Sequence, residues 1–339
     1  MSNILLIGPR KNKRDSTLTG GAVVLFENLL EQMDEQNLKY DVVDTNKKNY
    51  QNTLIAYVLI TAQIFIKQFK TKHISLHSSR DYIFFGPIII LFGKLFHKST
   101  SLRKFGGEAW DVYISATGLK KKLLDYIFSN VAYLFLEMQD LVNKFKSINE
   151  NTFWFPNVRN KPTIDVKTKI FSKRFVFISH VIKEKGIDEI VKVRKLLDDS
   201  YVIDIYGPIH DNKYSIEYFK ENNISYKGVL KAEEVLKTLN EYDVLLLPSY
   251  KEGYPGIVIE SYSIGIPIIA TDLPGLKEIV DEYETGILIE PKNVQELKKA
   301  IEYFNEDNYQ QMAKSAKEKF SLFDSQKQSN QFINKVLYD

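Results

Sequence analysis

The sequence predicts an α/β protein made of two parallel-sheet domains. Short apolar segments alternate with segments of helical apolar spacing in both halves of the chain. The halves are separated by a polar stretch with two prolines, near residues 155–163, that has no apolar periodicity. At 339 residues the chain is longer than a typical single core requires. It fits two domains of about 150 residues each.

The first half begins as a β-α-β unit. A predicted strand at residues 4–7 is followed by Gly20 and Gly21, by helical spacing over residues 22–33, and by a strand at residues 40–44. Strands joined by a helix in this way lie parallel in one sheet. Two glycines before a helix either present backbone N–H groups to a phosphate or form an ordinary turn, and both interpretations stay open. The spacing does not match the G-x-G-x-x-G dinucleotide fingerprint.

Two stretches of the first half, residues 53–69 and 82–96, are unusually apolar and end in or near lysines. Both are shorter than the roughly 20 uninterrupted apolar residues that span a bilayer. We expect both to be core helices; the alternative is that one of them lies on an anionic membrane surface. A basic run at residues 120–122 predicts a solvated helix face that can also attract lipid headgroups.

Composition and charge narrow the classes of function. The chain has no cysteine, which excludes a disulfide framework, a zinc-thiolate site and a cysteine nucleophile. Residues 1–162 hold 22 Lys and Arg against 14 Asp and Glu, and the remainder holds 24 against 29. The basic first half is expected to meet an anionic partner, either a membrane surface or a phosphorylated acceptor. No basic stripe is interleaved with aromatic residues, so we expect no nucleic-acid partner.

The first eight residues run into a strand without a basic segment or a small-residue cleavage site. We therefore expect a cytoplasmic location, either free or peripheral at the inner face of the cell membrane.

The chain is organised around residues 243–286. Residues 244–247 form an apolar run closed by Pro248, which predicts a buried parallel strand followed by a tight turn and a helix. Such a turn directs backbone N–H groups and the positive end of a helix dipole to the carboxyl edge of a sheet, where phosphate binds. Glu252 and Glu260 flank the turn, and carboxylates accept hydrogen bonds from the paired hydroxyls of a sugar. The pattern predicts a ligand with a diphosphate between two sugars.

This segment resembles the donor-site signature of retaining glycosyltransferases of the GT-B fold, in particular family four, the group 1 type. The resemblance is dense over residues 175–295 and thin before them. The residues that carry it are Pro248, Ser249, Glu252, Gly253, Tyr254, Pro255, Gly256 and Glu260, followed by Gly265, Pro267, Ile269, Ala270, Thr271, Gly275, Glu278, Ile279 and Val280.

The resemblance implies two Rossmann-like, doubly wound parallel-sheet domains that face a central cleft. Residues 1–162 would bind the acceptor and would be completed by a C-terminal helix at residues 325–339. Residues 163–324 would bind the nucleotide sugar.

The resemblance also implies three catalytic residues: Lys185, His180 and Glu252. Family members carry an arginine and, five residues later, a lysine, both directed at the donor diphosphate. Lys185 matches the lysine, whereas His180 stands at the arginine position. Imidazole titrates near neutrality and guanidinium does not, so leaving-group stabilisation is expected to be weaker or more dependent on pH. Glu260 would bind the nucleotide ribose, and Glu252 the hydroxyls of the donor sugar.

Further contacts are expected in both domains. Gly107 and Glu108 would join Gly20 and Gly21 in the acceptor cleft. A histidine that family members commonly place near residues 102–111 is missing, the nearest being His97. The donor site would also include Gly253, Tyr254, Pro255, Gly256, Ile257 and Gly207, with Lys227, Gly228 and Val229 contacting the nucleobase through main-chain groups.

The implied activity is retaining transfer of a hexose or N-acetylhexosamine from a nucleotide diphosphate sugar, taken as a UDP sugar. The acceptor would be a polyprenyl-diphosphate-linked saccharide, in the biosynthesis of a bacterial capsule or O-antigen. Contact with an anionic membrane would be peripheral. Because no Asp-x-Asp motif stands in a suitable loop, we expect neither a metal ion nor another cofactor.

Three alternatives stay open. The acceptor could be a soluble sugar, or the chain could be a nucleotide-sugar-binding protein without turnover, for which the missing arginine and histidine are the support. A sugar-nucleotide epimerase of the same fold is the third, but it would not be expected to carry the E-x7-E turn.

Overall fold

The computed structural model describes residues 3–13, 20–167 and 170–338. The chain divides into two compact units, one of residues 1–160 together with 324–339, the other of residues 161–323. Each unit contains a six-stranded parallel sheet covered by helices, which confirms the predicted α/β class. The predicted division at residue 162 lies two residues from the observed one. Asp339, the last residue of the predicted C-terminal helix, lies outside the described residues.

The sheet of the first unit is built from six strands in the order β2-β1-β3-β4-β5-β6. All neighbouring strands are parallel. β1 is buried along its whole length and lies between β2 and β3. The strands are β1 (Ile4–Gly8), β2 (Tyr40–Asp44), β3 (His73–Ser78), β4 (Ser99–Lys104), β5 (Tyr133–Leu136) and β6 (Thr152–Trp154).

Six helices of the first unit connect these strands: α1 (Gly21–Glu35), α2 (Thr53–Gln68), α3 (Tyr82–Phe96), α4 (Ala109–Ser115), α5 (Gly118–Asn130) and α6 (Gln139–Phe145). Against one face of the sheet, Phe26 of α1 packs with Ile4 and Leu6 of β1 in a single apolar core. This is the helix-over-strand packing that a β-α-β connection requires.

The expectation that the two apolar helices α2 and α3 are core helices holds only in part, because each buries one side and exposes the other. In α2 only one stripe, Ala56, Ile60, Ile64 and Gln68, is buried. The opposite side is exposed, with Leu54 at 76% and Ile66 at 63% of full exposure. A near-continuous apolar run has no periodicity that marks the buried stripe, so the sequence could not show it. Among the described residues, no helix is both long enough and apolar enough to cross a bilayer.

The sheet of the second unit has the order β12-β11-β10-β7-β8-β9, again with parallel neighbours throughout. Its two central strands, β7 and β10, are buried almost entirely. The strands are β7 (Arg174–Ile178), β8 (Val202–Tyr206), β9 (Ser225–Tyr226), β10 (Val244–Leu247), β11 (Ile268–Thr271) and β12 (Gly286–Ile289).

The helices of the second unit are α7 (Ile187–Arg194), α8 (Ile216–Glu221), α9 (Val235–Leu239), α10 (Gly256–Ser263), α11 (Pro274–Ile279), α12 (Val294–Tyr303) and α13 (Glu306–Lys319). Residues 232–234 form a 3-10 turn directly before α9.

The last helix, α14 (Ser325–Leu337), belongs to the first unit. Its Phe332 packs edge-on against Phe135 of β5, with ring centroids 4.9 Å apart, and also contacts Phe155. The end of the chain thus completes the core of the unit in which the chain begins.

Candidate functional site

The predicted site residues of the second unit lie at a topological switch point. From β7 the chain moves to β8 and β9 on one side of the sheet, and β10 then joins β7 on the other side. The loops that follow β7 and β10 therefore leave the sheet in opposite directions. In open α/β sheets, this crevice at the carboxyl ends of the strands is where ligands bind.

The loops after β7 and β10 are held together by their backbones. The N–H of Tyr250 donates to the carbonyl of Glu184 over 2.8 Å. Gly186 has φ +78°, and a Cβ on it would lie 2.1 Å from the carbonyl oxygen of Pro248. Only glycine allows both this backbone conformation and this approach. The Tyr250 hydroxyl also donates to Glu189 over 2.7 Å, which fixes the second loop to α7.

Lys185 and Glu252, predicted from separate parts of the sequence, form an ion pair. Nζ of Lys185 lies 2.5 Å from Oε1 of Glu252, and the two side chains are 20% and 10% exposed. The pair sits where the two central loops meet. The ion pair places the ammonium group of Lys185 at the carboxyl edge of the sheet. It involves Oε1 of Glu252 and not Oε2.

The turn between β10 and α10 presents a helix N-terminus to the same edge. Pro255 is the N-cap of α10, and its own side chain makes no capping hydrogen bond. The N–H groups at the start of such a helix are available to an anion. Glu260 lies in the next turn of α10 and is half-buried, as is Ile257. Tyr254 is 6% exposed and packs against Phe323, so its ring is mainly a structural part of the turn.

The turn is also confined from the side of α11. A Cβ on Gly275 would lie 1.6 Å from the carbonyl oxygen of Gly253. On the strand side, the Thr271 hydroxyl donates to the carbonyl of Ser249 over 2.5 Å. The backbone of the turn is therefore held by α11 on one side and by the Thr271 hydroxyl on the other. The Lys185–Glu252 ion pair holds it further.

His180 is exposed in the loop after β7 and has a partner that the sequence did not indicate. Its Nδ1 lies 3.0 Å from Nε2 of His210, which follows β8. Burial lowers the pKa of His180 below its ordinary value, and the neighbouring His210 and Lys185 lower it further. The ring is therefore mostly neutral near pH 7.5 in the free protein.

The residues predicted to contact a nucleobase lie at the edge of the same sheet. The N–H of Gly207 donates to the carbonyl of Gly228 over 2.9 Å, and Gly228 has φ +88°. Lys227 and Val229 line a cavity of about 670 Å³ that also includes Tyr206. Lys227 and Val229 therefore border a recess large enough for a heterocyclic ring, and Gly228 lies between them in the chain.

The predicted residues of the first unit follow β4 or lie at the start of α1. Gly20 is the N-cap of α1, and no described atom lies within 4 Å of a Cβ built on Gly20 or Gly21. Packing among the described residues thus does not explain these two glycines. Gly107 is half-buried, and Glu108 is exposed as the N-cap residue of α4.

A buried polar group behind the β4 loop was missed by the sequence analysis. Glu137 accepts a 2.7 Å hydrogen bond from the N–H of Gly106, and burial raises its pKa. Arg103 is fully buried, with its guanidinium 3.3 Å from the centre of the Phe155 ring. Charged residues in or next to a strand ordinarily face solvent. Only the packed structure therefore shows that Arg103 and Glu137 are internal.

Comparison with known proteins identifies the family to which the second unit is similar. The family model described as glycosyl transferases group 1 matches residues 159–319. The N,N'-diacetylbacillosaminyl-diphospho-undecaprenol alpha-1,3-N-acetylgalactosaminyltransferase of Campylobacter jejuni is 26% identical over 165 residues, 48% of this chain and 40% of that protein. The capsular polysaccharide biosynthesis glycosyltransferase CapM of Staphylococcus aureus is 22% identical over 240 residues, 68% and 60% of the two chains. The chain spans about half the length of the curated relatives it matches.

Similarity to solved structures extends over the whole fold. Anabaena HepE, crystallised in complex with UDP, superposes with a TM-score of 0.75 at 12% identity, covering 98% of this chain and 99% of HepE. At this identity the similarity concerns the fold alone. It confirms the predicted GT-B class.

Proposed function

We propose that this chain, whose residues 159–319 match the family model of group 1 glycosyl transferases, transfers a sugar from a nucleotide diphosphate donor. The observation that carries the proposal is the Lys185–Glu252 ion pair, beside the uncapped start of α10 and at the switch point of the second sheet. This arrangement places a cation, a carboxylate and the N-terminus of a helix at the same edge of the sheet. A diphosphate with a sugar attached requires all three.

In the proposed site each group acts on a different part of the donor. The ammonium of Lys185 and the N–H groups at the start of α10 neutralise the charge that develops on the leaving diphosphate. Glu252, whose Oε1 is held by Lys185, offers Oε2 to the hydroxyls of the donor sugar. Glu260, half-buried one turn further on, accepts hydrogen bonds from the ribose diol.

The nucleobase is assigned to the recess beside β9. Backbone groups around Gly207, Gly228 and Val229 lie there, and the adjoining cavity of about 670 Å³ has room for the ring. Main-chain donors and acceptors can pair with the polar edge of a base. We take the donor to be a UDP sugar with a hexose or N-acetylhexosamine.

Transfer is proposed to proceed with retention and without a metal ion or other cofactor. The acceptor hydroxyl would attack from the face that the diphosphate leaves, and a phosphate oxygen would take its proton. The side chains of the site then have only to bind, orient and neutralise charge.

The acceptor is proposed to be a polyprenyl-diphosphate-linked saccharide in bacterial surface polysaccharide assembly, at the inner face of the cell membrane. The names of the Campylobacter and Staphylococcus relatives support this acceptor class. A lipid-linked substrate requires contact with a membrane, and the first unit carries a suitable surface. We call it the α2–α3 surface: the exposed residues Leu54, Val58, Leu59, Ile66, Phe84, Leu91 and Leu95.

The α2–α3 surface combines apolar area with positive charge. The helices pack side by side through rings such as Phe65 and Phe92, whose centroids are 5.6 Å apart. Neither helix contains Asp or Glu, and Lys70, Lys72 and Lys94 are exposed around their C-terminal ends. Apolar side chains that enter the interface and lysines that meet anionic headgroups together favour peripheral binding to an anionic bilayer.

The proposal is tested first by ligand-dependent stability and then by transfer. A nucleotide at 100 times its dissociation constant raises the unfolding free energy by about 2.7 kcal/mol. UDP, GDP, ADP and their sugars are compared by thermal shift, and UDP ligands are expected to stabilise most. Absence of a shift with every nucleotide contradicts the proposal. Binding without transfer to lipid-linked or soluble saccharides would instead favour a nucleotide-sugar-binding protein.

A further inference from the structure

Two histidines from different loops lie side by side where β7 and β8 end. Nδ1 of His180 and Nε2 of His210 are 3.0 Å apart, and the ring centroids are 5.0 Å apart. Beyond the ends of the two strands, Val181 and Ile209 form one further parallel bridge. In this parallel register residue 180 lies opposite residue 208, so residue 210, two positions further on, is its diagonal neighbour.

The backbone requires the two loops to be this close. Gly207 has φ +134°, and a Cβ on it would lie 1.8 Å from the carbonyl oxygen of Ser179. Glycine is the residue that permits both the conformation and the approach. The contact between the rings therefore follows from the path of the main chain as well as from the choice of rotamers.

The charged groups around the pair are mostly neutralised by other residues. Lys185 faces the pair and is ion-paired with Glu252. Lys213, in the same loop as His210, is 2.5 Å from Asp188 of α7. Asp211 accepts a 3.0 Å hydrogen bond from the N–H of Lys213. In the absence of a ligand, no described carboxylate forms an ion pair with either imidazole.

The bond between two neutral imidazoles can run in either direction. When Nε2 of His210 donates, Nδ1 of His180 accepts, and Nε2 of His180 carries a hydrogen that can be given to a phosphate. When Nδ1 of His180 donates, its Nε2 has a lone pair that repels a phosphate. A single extra proton removes this choice, because one hydrogen then lies between the rings and both outer nitrogens are donors.

We propose that His180 and His210 form one diphosphate-binding unit, which takes up a single proton from solvent when the donor diphosphate binds. The inference rests on the proposed function of the second unit. His210 is a positioning residue: it sets the hydrogen-bonding state of His180 and shares its positive charge. The pair then provides the cation that the resemblance expected from an arginine, but provides it only in the presence of the anion.

The experiment is calorimetric titration with a nucleotide sugar between pH 6.0 and 8.5, in two buffers of different ionisation enthalpy. The titrant is whichever of UDP-glucose, UDP-N-acetylglucosamine and GDP-mannose gives the largest thermal shift. The wild-type protein is expected to take up close to one proton per ligand at pH 7.5. The dissociation constant of the wild type should then increase with pH, by up to roughly tenfold per pH unit, as one linked proton requires.

His210→Gln is expected to remove most of the proton uptake. Its affinity should be roughly 100-fold lower than wild type at pH 6.5, because one linked proton changes the wild-type affinity by about that factor between pH 6.5 and 8.5. At pH 8.5, where the advantage of the linked proton is lost, the two proteins should differ by about twofold or less. A His180→Arg/His210→Gln double variant should regain the affinity and lose the pH dependence. Both rings are exposed, so unchanged thermal stability is expected for His210→Gln.

The outcomes separate this inference from the proposed function. If the wild type binds and His210→Gln keeps the same affinity and proton uptake, the pair has no role while the donor site stands. An equal loss of affinity at every pH also overturns the inference, since it indicates a merely structural contact. If the wild type binds no nucleotide sugar, the proposed function fails and the pair fails with it.

Discussion

A methyl group at Gly275 should displace the turn on which the proposed donor site is built. The Cβ would lie 1.6 Å from the carbonyl oxygen of Gly253, whereas real Cβ atoms essentially never approach a heavy atom within 3.0 Å. Relief of this clash requires a shift of about 1.4 Å, the difference between the two distances. The neighbour is backbone, so no side-chain rotation can absorb the shift.

The expected loss of activity follows from that displacement. A misplacement of about 1 Å near a reacting centre can cost roughly 100-fold, so we expect Gly275→Ala to lower kcat/KM for sugar transfer by at least roughly 100-fold. Overpacking should also lower the unfolding free energy by about 1–3 kcal/mol. The assay is the initial rate of UDP release with the acceptor, measured beside thermal unfolding.

Gly265→Ala is the matched control, since Gly265 has φ +73° at the opposite end of α10. This variant should lose about 1 kcal/mol of stability but keep its nucleotide affinity, because its Cβ meets the Ala313 carbonyl oxygen at 3.0 Å and not the turn. A folded Gly275→Ala protein with wild-type kcat/KM would refute the reasoning.

Three further predictions concern the nucleotide, acid stability and the membrane. Glu260→Ala should abolish thermal stabilisation by UDP; undiminished affinity for UDP in a titration would rule out its ribose contact. Burial lowers the pKa of His73 to about 3 and that of His77 well below its ordinary value. The unfolded chain binds these protons below about pH 6.5 and the folded chain does not, so stability is full above that pH and falls as pH decreases toward 3. His73 should cost about 2 kcal/mol at pH 5, a loss that urea unfolding should show and that His73→Gln should reduce. The double substitution Ile66→Glu/Leu91→Glu should remove binding to vesicles containing phosphatidylglycerol. The assignment of the α2–α3 surface would be contradicted if the substitutions had no effect. It would also be contradicted if the wild type bound equally well to neutral vesicles.

The strand, turn and helix around residues 244–263 were predictable because local signals agree there. The apolar run ends at a proline, the glycines permit the turn, and the helical spacing resumes immediately. The proximity of Lys185 and Glu252 needed more, since they are 67 residues apart in sequence. The family resemblance assigned both to a donor site, but their ion pair appears only once β7 and β10 are neighbours.

His210 and the exposed side of α2 could not have been predicted in the same way. His210 meets His180 because of the register between β7 and β8, and nothing in either loop's own sequence specifies that register. In α2 the apolar residues surround the helix, so burial depends on which stripe meets the sheet. Tertiary packing, rather than local preference, determines both features.

The central claim is that a nucleotide diphosphate binds in the second unit at the turn between β10 and α10. The most direct measurement is a crystal structure with UDP bound. We expect the diphosphate within hydrogen-bonding distance of Nζ of Lys185 and of the first N–H groups of α10, with the ribose at Glu260. Nucleotide bound in the first unit, or a turn without contact to it, would contradict the account.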